Sequence, residues 1–268
     1  MKKISILLSL VLFCLGMNGQ QSTNHQKDIF LFLGQSNMAG YGDMLPQDKE
    51  PQEGIVMLRD SIQPGEPYRW VPACHPVNNR LQSDRFSLDL PFAQAHRTMY
   101  PDVEIGLVPV AWGGAGIMRM SKGTKFYDEI IRKALWAKKS GQLKAILWHQ
   151  GETDTVYPED TNQYFARLKK LIQDLRTDLG MPDLPFIIGD LAEFYGTHPD
   201  HSAPDRVIRI RHLHNTLLTM QYRMPNVGFV PSTGLQSHDI NNVHFNRASY
   251  IIFGHRYFDV YWQKFCKK

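Results

Sequence analysis

A serine stands where a nucleophile is expected, directly after a short apolar run. Residues 29–33 are all large and apolar, and Gly34, Gln35 and Ser36 follow them. An apolar run that breaks into Gly-x-Ser and then small residues predicts a buried strand ending in a sharp turn. Such a turn presents the hydroxyl at the edge of a sheet, beside backbone N–H groups, which suits nucleophilic catalysis. Because Gly-x-Ser is common and serine is a preferred helix N-cap, the motif alone also fits a structural role.

Three further segments carry groups that acyl transfer needs. One holds a glycine pair after the apolar residues 103–110, and one holds an amide and a carboxylate after residues 143–148. The third, residues 237–245, holds two histidines before the last predicted helix. The chemistry-bearing residues of these segments are Gly113, Gly114, His149, Gln150, Glu152, His238, Asp239 and His244. Together with Ser36 they supply a nucleophile, oxyanion donors, a base and an orienting acid.

The elements that position these residues follow from the spacing of apolar runs. Short two-sided apolar runs, typical of buried parallel strands, occur at 29–33, 103–110, 143–148, 186–188 and 227–230. Helical patterns lie at 89–100, 126–139, 161–179, 205–222 and 246–265. Alternating strands and helices predict an α/β fold, a central parallel five-stranded sheet covered on both faces. Ligands of such sheets sit at the carboxyl ends of the strands, where the four segments lie. Residues 41–85 show little periodicity and predict a long surface excursion beside the site.

The four segments resemble the conserved blocks of the SGNH hydrolase superfamily. Within it they are most similar to the branch of sialate O-acetylesterase-like and family 6 carbohydrate esterases, which includes acetylxylan esterases. GQSNMAG resembles the nucleophile block, IGLVPVAWGGAGI the glycine block, WHQGETD the third block and INNVHFN the histidine block. The similarity runs from about residue 29 to residue 257. It implies a flavodoxin-like three-layer α/β/α sandwich and a serine esterase without metal or cofactor that acts on small acyl groups of sugars.

The resemblance also assigns roles to individual residues. Ser36 would be the nucleophile and His244 the base. The oxyanion hole would consist of the Ser36 and Gly114 backbone N–H groups and the Gln150 side chain. Gln35, Asn37 and His238 would contact the substrate, and His149 would be structural.

The orienting acid is left open by the sequence. The superfamily places an aspartate three residues before the base, but this chain has Asn241 there. An amide cannot neutralise the imidazolium that forms when His244 accepts a proton. Glu152 of the third block and Asp239, five residues before the base, are the two candidates, and a Ser–His dyad is the third possibility.

The first residues predict export. A basic start, an apolar stretch at 4–15 and small or polar residues at 16–19 have the form of a secretory signal peptide. We therefore expect a signal peptide at 1–19, a single esterase domain at 20–268, and a periplasmic or secreted protein. The apolar stretch is shorter than the ~20 residues that a membrane span needs. Cys74 and Cys266 are the cysteines left after cleavage, and their spacing does not tell whether they pair.

The amino-acid composition of the chain indicates which classes of partner it can bind. The chain is 43% hydrophobic and 21% charged, as expected of a globular protein with a buried core. Its net charge of +4 is scattered, so nucleic acid is not an expected partner. The densest cationic group, which includes Arg206, Arg211 and His214, predicts a solvated face or a surface that faces carbohydrate or anions.

The sequence is compatible with three candidate functions. The expected activity is removal of acetyl groups from sugars, with acetylated xylan or a related hemicellulose as first substrate and sialate esters as second. A non-catalytic carbohydrate-binding protein on the same fold is the alternative from another class, with Asn241 as its one hint. A lipase or thioesterase would need an apolar acyl groove, whereas residues 41–85 are rich in polar and aromatic side chains.

Overall fold

The structure of the protein is a computed structural model that describes residues 27–78, 85–238 and 240–267. Its strands and α-helices, in chain order, are β1 (Lys27–Gly34), α1 (Ser36–Ala39), β2 (Gln52–Asp60), β3 (Tyr68–Ala73), α2 (Asp89–Met99), β4 (Ile105–Ala111), α3 (Lys125–Ala137), β5 (Gly141–His149), α4 (Pro158–Asp178), β6 (Phe186–Gly189), α5 (Pro204–Arg223), β7 (Val227–Val230) and α6 (Arg247–Tyr261). A π-helical turn, Trp262–Cys266, continues α6. The five longer helices all fall where the apolar periodicity predicts them.

The strands form one mostly parallel sheet in the order β3-β2-β4-β1-β5-β6-β7. Every neighbouring pair is parallel except β2 and β3. The five strands predicted from sequence are β1, β4, β5, β6 and β7, and their spatial order, 2-1-3-4-5, is that of flavodoxin-like sheets. The expected doubly wound α/β fold is confirmed.

The sheet has two more strands than the sequence predicted, and both lie in residues 41–85. β2 and β3 form an antiparallel hairpin at the edge of the sheet, with Val56 opposite Pro72 and Asp60 opposite Tyr68. The hairpin is only partly buried, and it contains Gly54 and Pro72. Proline and glycine are tolerated at sheet edges but weaken the alternation that marks a strand. The expectation that residues 41–85 are only a surface excursion is therefore wrong for this hairpin.

Helices cover both faces of the sheet. α2 packs against α6, whereas α4 packs against α5. β4 and β5 lie parallel on either side of β1, and α3 lies in the crossover connection between them. β1 is enclosed between these layers, and its residues 29–33 are fully buried. This rigid central strand fixes the position of the segment that follows it.

Several sequence-based expectations lie outside the described residues. The signal peptide predicted at 1–19 is one of them and stays a prediction.

Cys74 and Cys266 are free thiols, each partly buried. None of the helices in the described ranges is long and apolar enough to cross a membrane.

Candidate active site

The nucleophile turn depends on a glycine at the end of β1. Gly34 has φ +155°, and a Cβ atom there would lie 2.0 Å from the carbonyl oxygen of His149. That oxygen accepts the Gln35 N–H at 3.1 Å, and Gly34 O accepts the Trp112 N–H at 3.1 Å. These bonds tie the ends of β1, β4 and β5 together immediately before Ser36.

Ser36 lies at the first position of α1, directly after the turn. Its side chain is buried at 5% exposure, and its hydroxyl makes no hydrogen bond with any residue in the described ranges. The helix is closed by Met38 N and Ala39 N, which both donate to Gln35 O. The N–H groups of Ser36 and Asn37 are therefore left over at the helix start, where they can face an oxyanion.

Gly114 supplies a second exposed backbone donor at the end of β4. Its φ is +64°, and no atom lies within 4 Å of where a Cβ would stand. Within the described part of the chain its N–H has no acceptor. The glycine segment therefore offers an open N–H on the same cavity as Ser36, as the sequence predicts.

His244 lies in the loop between β7 and α6. Its ring stacks on Tyr41 at 4.0 Å between centroids, with 8° between the planes. The loop is closed by a bridge between Ser237 and Phe245, and His238 N donates to His244 O at 2.8 Å. Asn246 then starts α6, because its side chain accepts the Ser249 N–H at 2.9 Å.

One cavity of about 320 Å³ brings these groups together. Its lining consists of Gln35, Ser36, Tyr41, Gly113, Gly114, Glu152, Thr153, Val156, Tyr195, His201, Arg206, Val243 and His244. The cavity lies at the carboxyl edge of the sheet, which is where α/β sheets bind ligands. Ser36 and His244 share it without a direct hydrogen bond. Such bonds commonly tighten only when substrate binds.

Asn37 is buried and is not among the residues that line the cavity, so the substrate contact expected from its motif stays a prediction. The side chain is fully buried and makes four hydrogen bonds. Its Nδ2 donates to Glu152 Oε1 (2.7 Å) and Val243 O (2.9 Å), while its Oδ1 accepts from Phe245 N (3.3 Å) and the Tyr250 hydroxyl (3.0 Å). Asn37 thus holds the residues on both sides of His244 and sits next to Ser36 in the chain. It is a clamp between the turn that carries Ser36 and the loop that carries His244.

Glu152 reaches the base only through that clamp. Its Oε1 contacts Asn37 Nδ2 and lies 3.3 Å from His149 Nε2, and no hydrogen bond joins it to His244 in the described chain. Burial would raise the pKa of Glu152, but the hydrogen bond and charge of His149, with the Asn37 bond, outweigh it and lower the pKa. Glu152 is therefore a buried carboxylate, and its candidacy as the acid stays a prediction.

Gln150 is not among the residues that line the cavity, so its expected oxyanion role stays a prediction. It is fully buried, and its Nε2 lies within bonding distance of Gln35 Oε1 (3.1 Å), Ala115 O (3.1 Å) and Asp154 Oδ2 (2.5 Å). Burial, opposed by the bond from Gln150, raises the pKa of Asp154 to about 6. Because the Gln150 donors are used inside the protein, this amide braces the loop.

Gln35 and His238, the other two predicted substrate contacts, differ. Gln35 lines the cavity, and its oxygen accepts from Gln150, which leaves its NH₂ group for a ligand. His238 lies outside the cavity lining, and its Nδ1 is 3.5 Å from Asp43 Oδ2. A substrate contact by His238 is therefore not supported. Asp239 lies outside the described residues, so its candidacy as the acid stays a prediction.

Sequence reasoning assigned no role at the serine to Tyr41, Tyr195 and Arg206, which all line the cavity. Tyr41 supports the His244 ring, and Arg85 lies 4.9 Å from the Tyr41 ring centre. Tyr195 donates to Glu152 O at 3.0 Å and accepts from Arg206 Nη2 at 2.7 Å. Arg206 belongs to the cationic group seen in the sequence, but nothing there indicated that it faces the serine.

Metal chemistry has no obvious centre in the described ranges. There, no group of three or more His, Cys, Asp or Glu side chains could hold a metal ion. The histidines near the site are used otherwise: His149 is fully buried beside Glu152, and His238 pairs with Asp43.

Comparison with known proteins agrees with this architecture. The family model for sialic acid-specific acetylesterases, a group of carbohydrate esterases, matches residues 26–263. A probable carbohydrate esterase of Arabidopsis thaliana is 31% identical over 187 residues, which cover 62% of this chain and 70% of that protein.

Solved structures extend the comparison to the fold. The X-ray structure of the Arabidopsis protein matches with a TM-score of 0.76 and 27% identity, over 90% of this chain and 100% of that one. The crystal structure of NanS matches with a TM-score of 0.72 and 18% identity, over 89% of this chain and 97% of NanS. The crystal structure of a carbohydrate acetylesterase from Xanthomonas citri matches with a TM-score of 0.61 and 18% identity, over 88% of this chain and 57% of that one. The chain belongs to the sialic acid-specific acetylesterase family of carbohydrate esterases and is a carboxylic ester hydrolase.

Proposed function

We propose that this carbohydrate acetylesterase works through a serine nucleophile, Ser36, and a histidine base, His244. The observation that supports this most is the cavity that holds both residues together with two free backbone donors, the N–H groups of Ser36 and Gly114. Nucleophile, base and oxyanion donors at one cavity are what acyl transfer requires.

The reaction would run in two steps. The Ser36 oxygen attacks the acetyl carbonyl carbon while its proton passes to the His244 imidazole, and the carbonyl oxygen becomes an oxyanion facing the two N–H groups. The intermediate expels the sugar alcohol, which takes the proton from His244. Water, activated by His244, then cleaves the acetyl-serine, releases acetate and restores the serine. A single oxyanion donor is worth about 3 kcal/mol in comparable hydrolases.

The orienting acid is best assigned to Asp239. The bonds of Glu152 to Asn37 and His149 both use Oε1, and no hydrogen bond joins its side chain to His244 in the described ranges. Between β7 and α6, residues 231–246, Asp239 is the one acidic residue in the sequence. A carboxylate in the same loop as His244 could stabilise the imidazolium directly.

For the substrate, acetylated xylan remains our first candidate, because the sequence lacks the large insertions that we associate with sialate-directed esterases. A specific observation favours acetylated sialic acid as the second. Arg206 lies in the cavity wall and donates to the Tyr195 hydroxyl and to Asp200 O, and within the described chain no carboxylate pairs with it. A guanidinium placed in this way suits a sugar carboxylate.

Substitution of the nucleophile tests the mechanism. Ser36→Ala is expected to fold normally and to lose at least about 10³-fold in kcat, because no other group replaces the nucleophile. Acetate release from acetylated xylan, acetylated glucomannan and O-acetyl sialosides identifies the substrate. A folded Ser36→Ala protein with near-native turnover overturns the mechanism. A wild-type protein that binds sugars but releases no acetate points to the non-catalytic alternative.

Export is a separate proposal that rests on sequence alone. Residues 1–19 have the form of a signal peptide, so we propose a periplasmic or secreted location. Cell fractionation and N-terminal sequencing of the mature protein, expected to start near Gln20, test it.

A further inference from the structure

A second cavity of about 520 Å³ adjoins the catalytic one. It lies between the loop after β6 and the first half of α5, and Tyr195 lines both cavities. Hydrogen bonds fix this tyrosine to Glu152 O and Arg206, so its ring is a fixed wall between the two spaces. The second cavity is also at the carboxyl edge of the sheet, and its volume is within the roughly 300–1,000 Å³ of small-molecule sites.

The floor of this cavity is apolar and its rim is polar. Leu191, Ala192 and Ile210 form buried parts of the lining. Arg211 and Asn215 stand at the rim and make no hydrogen bond or ion pair within the described chain. An apolar floor with a few polar groups around it is the usual form of a ligand pocket.

A third polar group at the rim is held in place from below. His214 Nδ1 lies 2.7 Å from Asp190 Oδ1, and Asp190 is buried at the end of β6. Bonding to Asp190 raises the pKa of His214, which favours the imidazolium with a proton on Nε2. The ring is about half exposed, so that N–H can serve as a donor.

The second cavity carries charges of both signs. Arg211 and Glu193 lie in its lining with opposite charges, and His214 is paired with Asp190. Glu193 accepts the Gly234 N–H with Oε2, which leaves its other oxygen as an acceptor. Charges of both signs, with donors and acceptors side by side, suit an uncharged ligand rich in hydroxyl groups, whose C–H face can lie on the apolar floor.

We propose that this cavity is a subsite for a neutral sugar unit that is linked to the acetylated unit in the catalytic cavity. A group bound here is separated from Ser36 by Tyr195, so it would position the substrate without being deacetylated itself. The proposal rests on the proposed function for its place in catalysis. It specifies that the substrate is an oligosaccharide or polysaccharide and not a free monosaccharide.

Binding of unacetylated sugars tests the subsite independently of catalysis. The protein carrying Ser36→Ala is titrated calorimetrically with xylose, xylotriose and lactose. We expect xylotriose or lactose to bind more tightly than xylose, and Arg211→Gln or Asn215→Ala to weaken that binding about tenfold. Arg223→Gln is the matched control, since Arg223 lies at the far end of α5 over Phe165, outside the cavity, and should leave binding unchanged.

Turnover gives the second readout. In the protein with Ser36 intact, Arg211→Gln should lower kcat/KM for acetylated xylo-oligosaccharides relative to nitrophenyl acetate by about tenfold, through KM. Failure of the esterase mechanism would appear as acetate release that survives Ser36→Ala, and it would leave the calorimetric result standing. Equal binding of xylose, xylotriose and lactose, or binding that Arg211→Gln and Asn215→Ala leave unchanged, overturns the subsite. So does a selective loss of nitrophenyl octanoate turnover in these variants, because the cavity would then hold an acyl chain.

Discussion

The clamp formed by Asn37 predicts that the residue after the nucleophile is needed for catalysis through its buried hydrogen bonds. Asn37→Leu keeps the approximate size of the side chain and removes all four of its hydrogen bonds. The bonds to Val243 O and Phe245 N hold the residues on either side of His244. We expect the variant to retain its fold, while the His244 loop is no longer fixed relative to Ser36.

The expected losses of stability and of kcat follow from the polar groups that Asn37→Leu would leave without a hydrogen-bond partner. Leucine would leave the buried Glu152 carboxylate without its Asn37 donor and the Phe245 N–H without an acceptor. Each buried unsatisfied polar group costs about 1–3 kcal/mol, and more if it is charged. A fall of roughly 3 kcal/mol in the free energy of unfolding is expected, against a typical total of about 5–15 kcal/mol. A displacement of the base by about 1 Å would lower kcat about 10²-fold.

The assay separates positioning from stability. Hydrolysis of nitrophenyl acetate and of the best saccharide is measured well below the unfolding temperature, with kcat and KM resolved. Tyr250→Phe removes one bond to Asn37 and should give a small loss. Leu168→Ala, in the buried face of α4, should destabilise by about 2–5 kcal/mol with kcat unchanged. An Asn37→Leu protein that is folded and has native kcat would refute the clamp.

Four further predictions concern the acid, the pH dependence of stability, the turn and metals. Glu152→Gln should lower kcat less than about 10-fold, whereas Asp239→Asn should lower it about 10²–10⁴-fold, and the reverse ranking in kinetics would make Glu152 the acid. The lowered pKa of Glu152 stabilises the fold above its ordinary value of 4.5, so in thermal unfolding the advantage of wild type over Glu152→Gln should fade as pH falls below that value. Gly34→Ala should prevent stable folding, measured by circular dichroism, because the new Cβ would meet His149 O at 2.0 Å. Incubation with EDTA should leave esterase activity unchanged, and a loss restored by added metal would contradict the absence of a metal role.

Local patterns predicted the fold and the position of Ser36 because those features are encoded in adjacent residues. The buried run 29–33 and the Gly-x-Ser turn define the end of β1 without reference to any other segment. The hairpin of β2 and β3 was not predicted, because an edge strand is only half-buried and its apolar periodicity is weak. Arg206 could be identified as part of a cationic helix, but its direction depends on Tyr195 and on the packing of α5.

The orientation of the side chains within the motifs could not be predicted from the motifs alone. Gln150 and Asn37 were both expected to face the ligand, and both are buried, with hydrogen-bond partners that the motif does not contain. Asn37 lies 206 residues before Val243, with which it bonds, and 208 before Phe245. A short motif can therefore identify the site, whereas the roles of its amides depend on contacts between distant segments.

The residue type at position 37 follows from what the clamp must do. It has to donate to Glu152 and to Val243 O, and at the same time accept from Phe245 N and the Tyr250 hydroxyl. An amide has two donor hydrogens and an acceptor oxygen, whereas a carboxylate has no donor and a serine hydroxyl has one. Aspartate here would also place a second negative charge about 3 Å from Glu152, in a fully buried position where such repulsion is costly. Asparagine, the shorter of the two amide side chains, therefore meets the hydrogen-bonding requirement of a position that joins the nucleophile turn to the loop of the base.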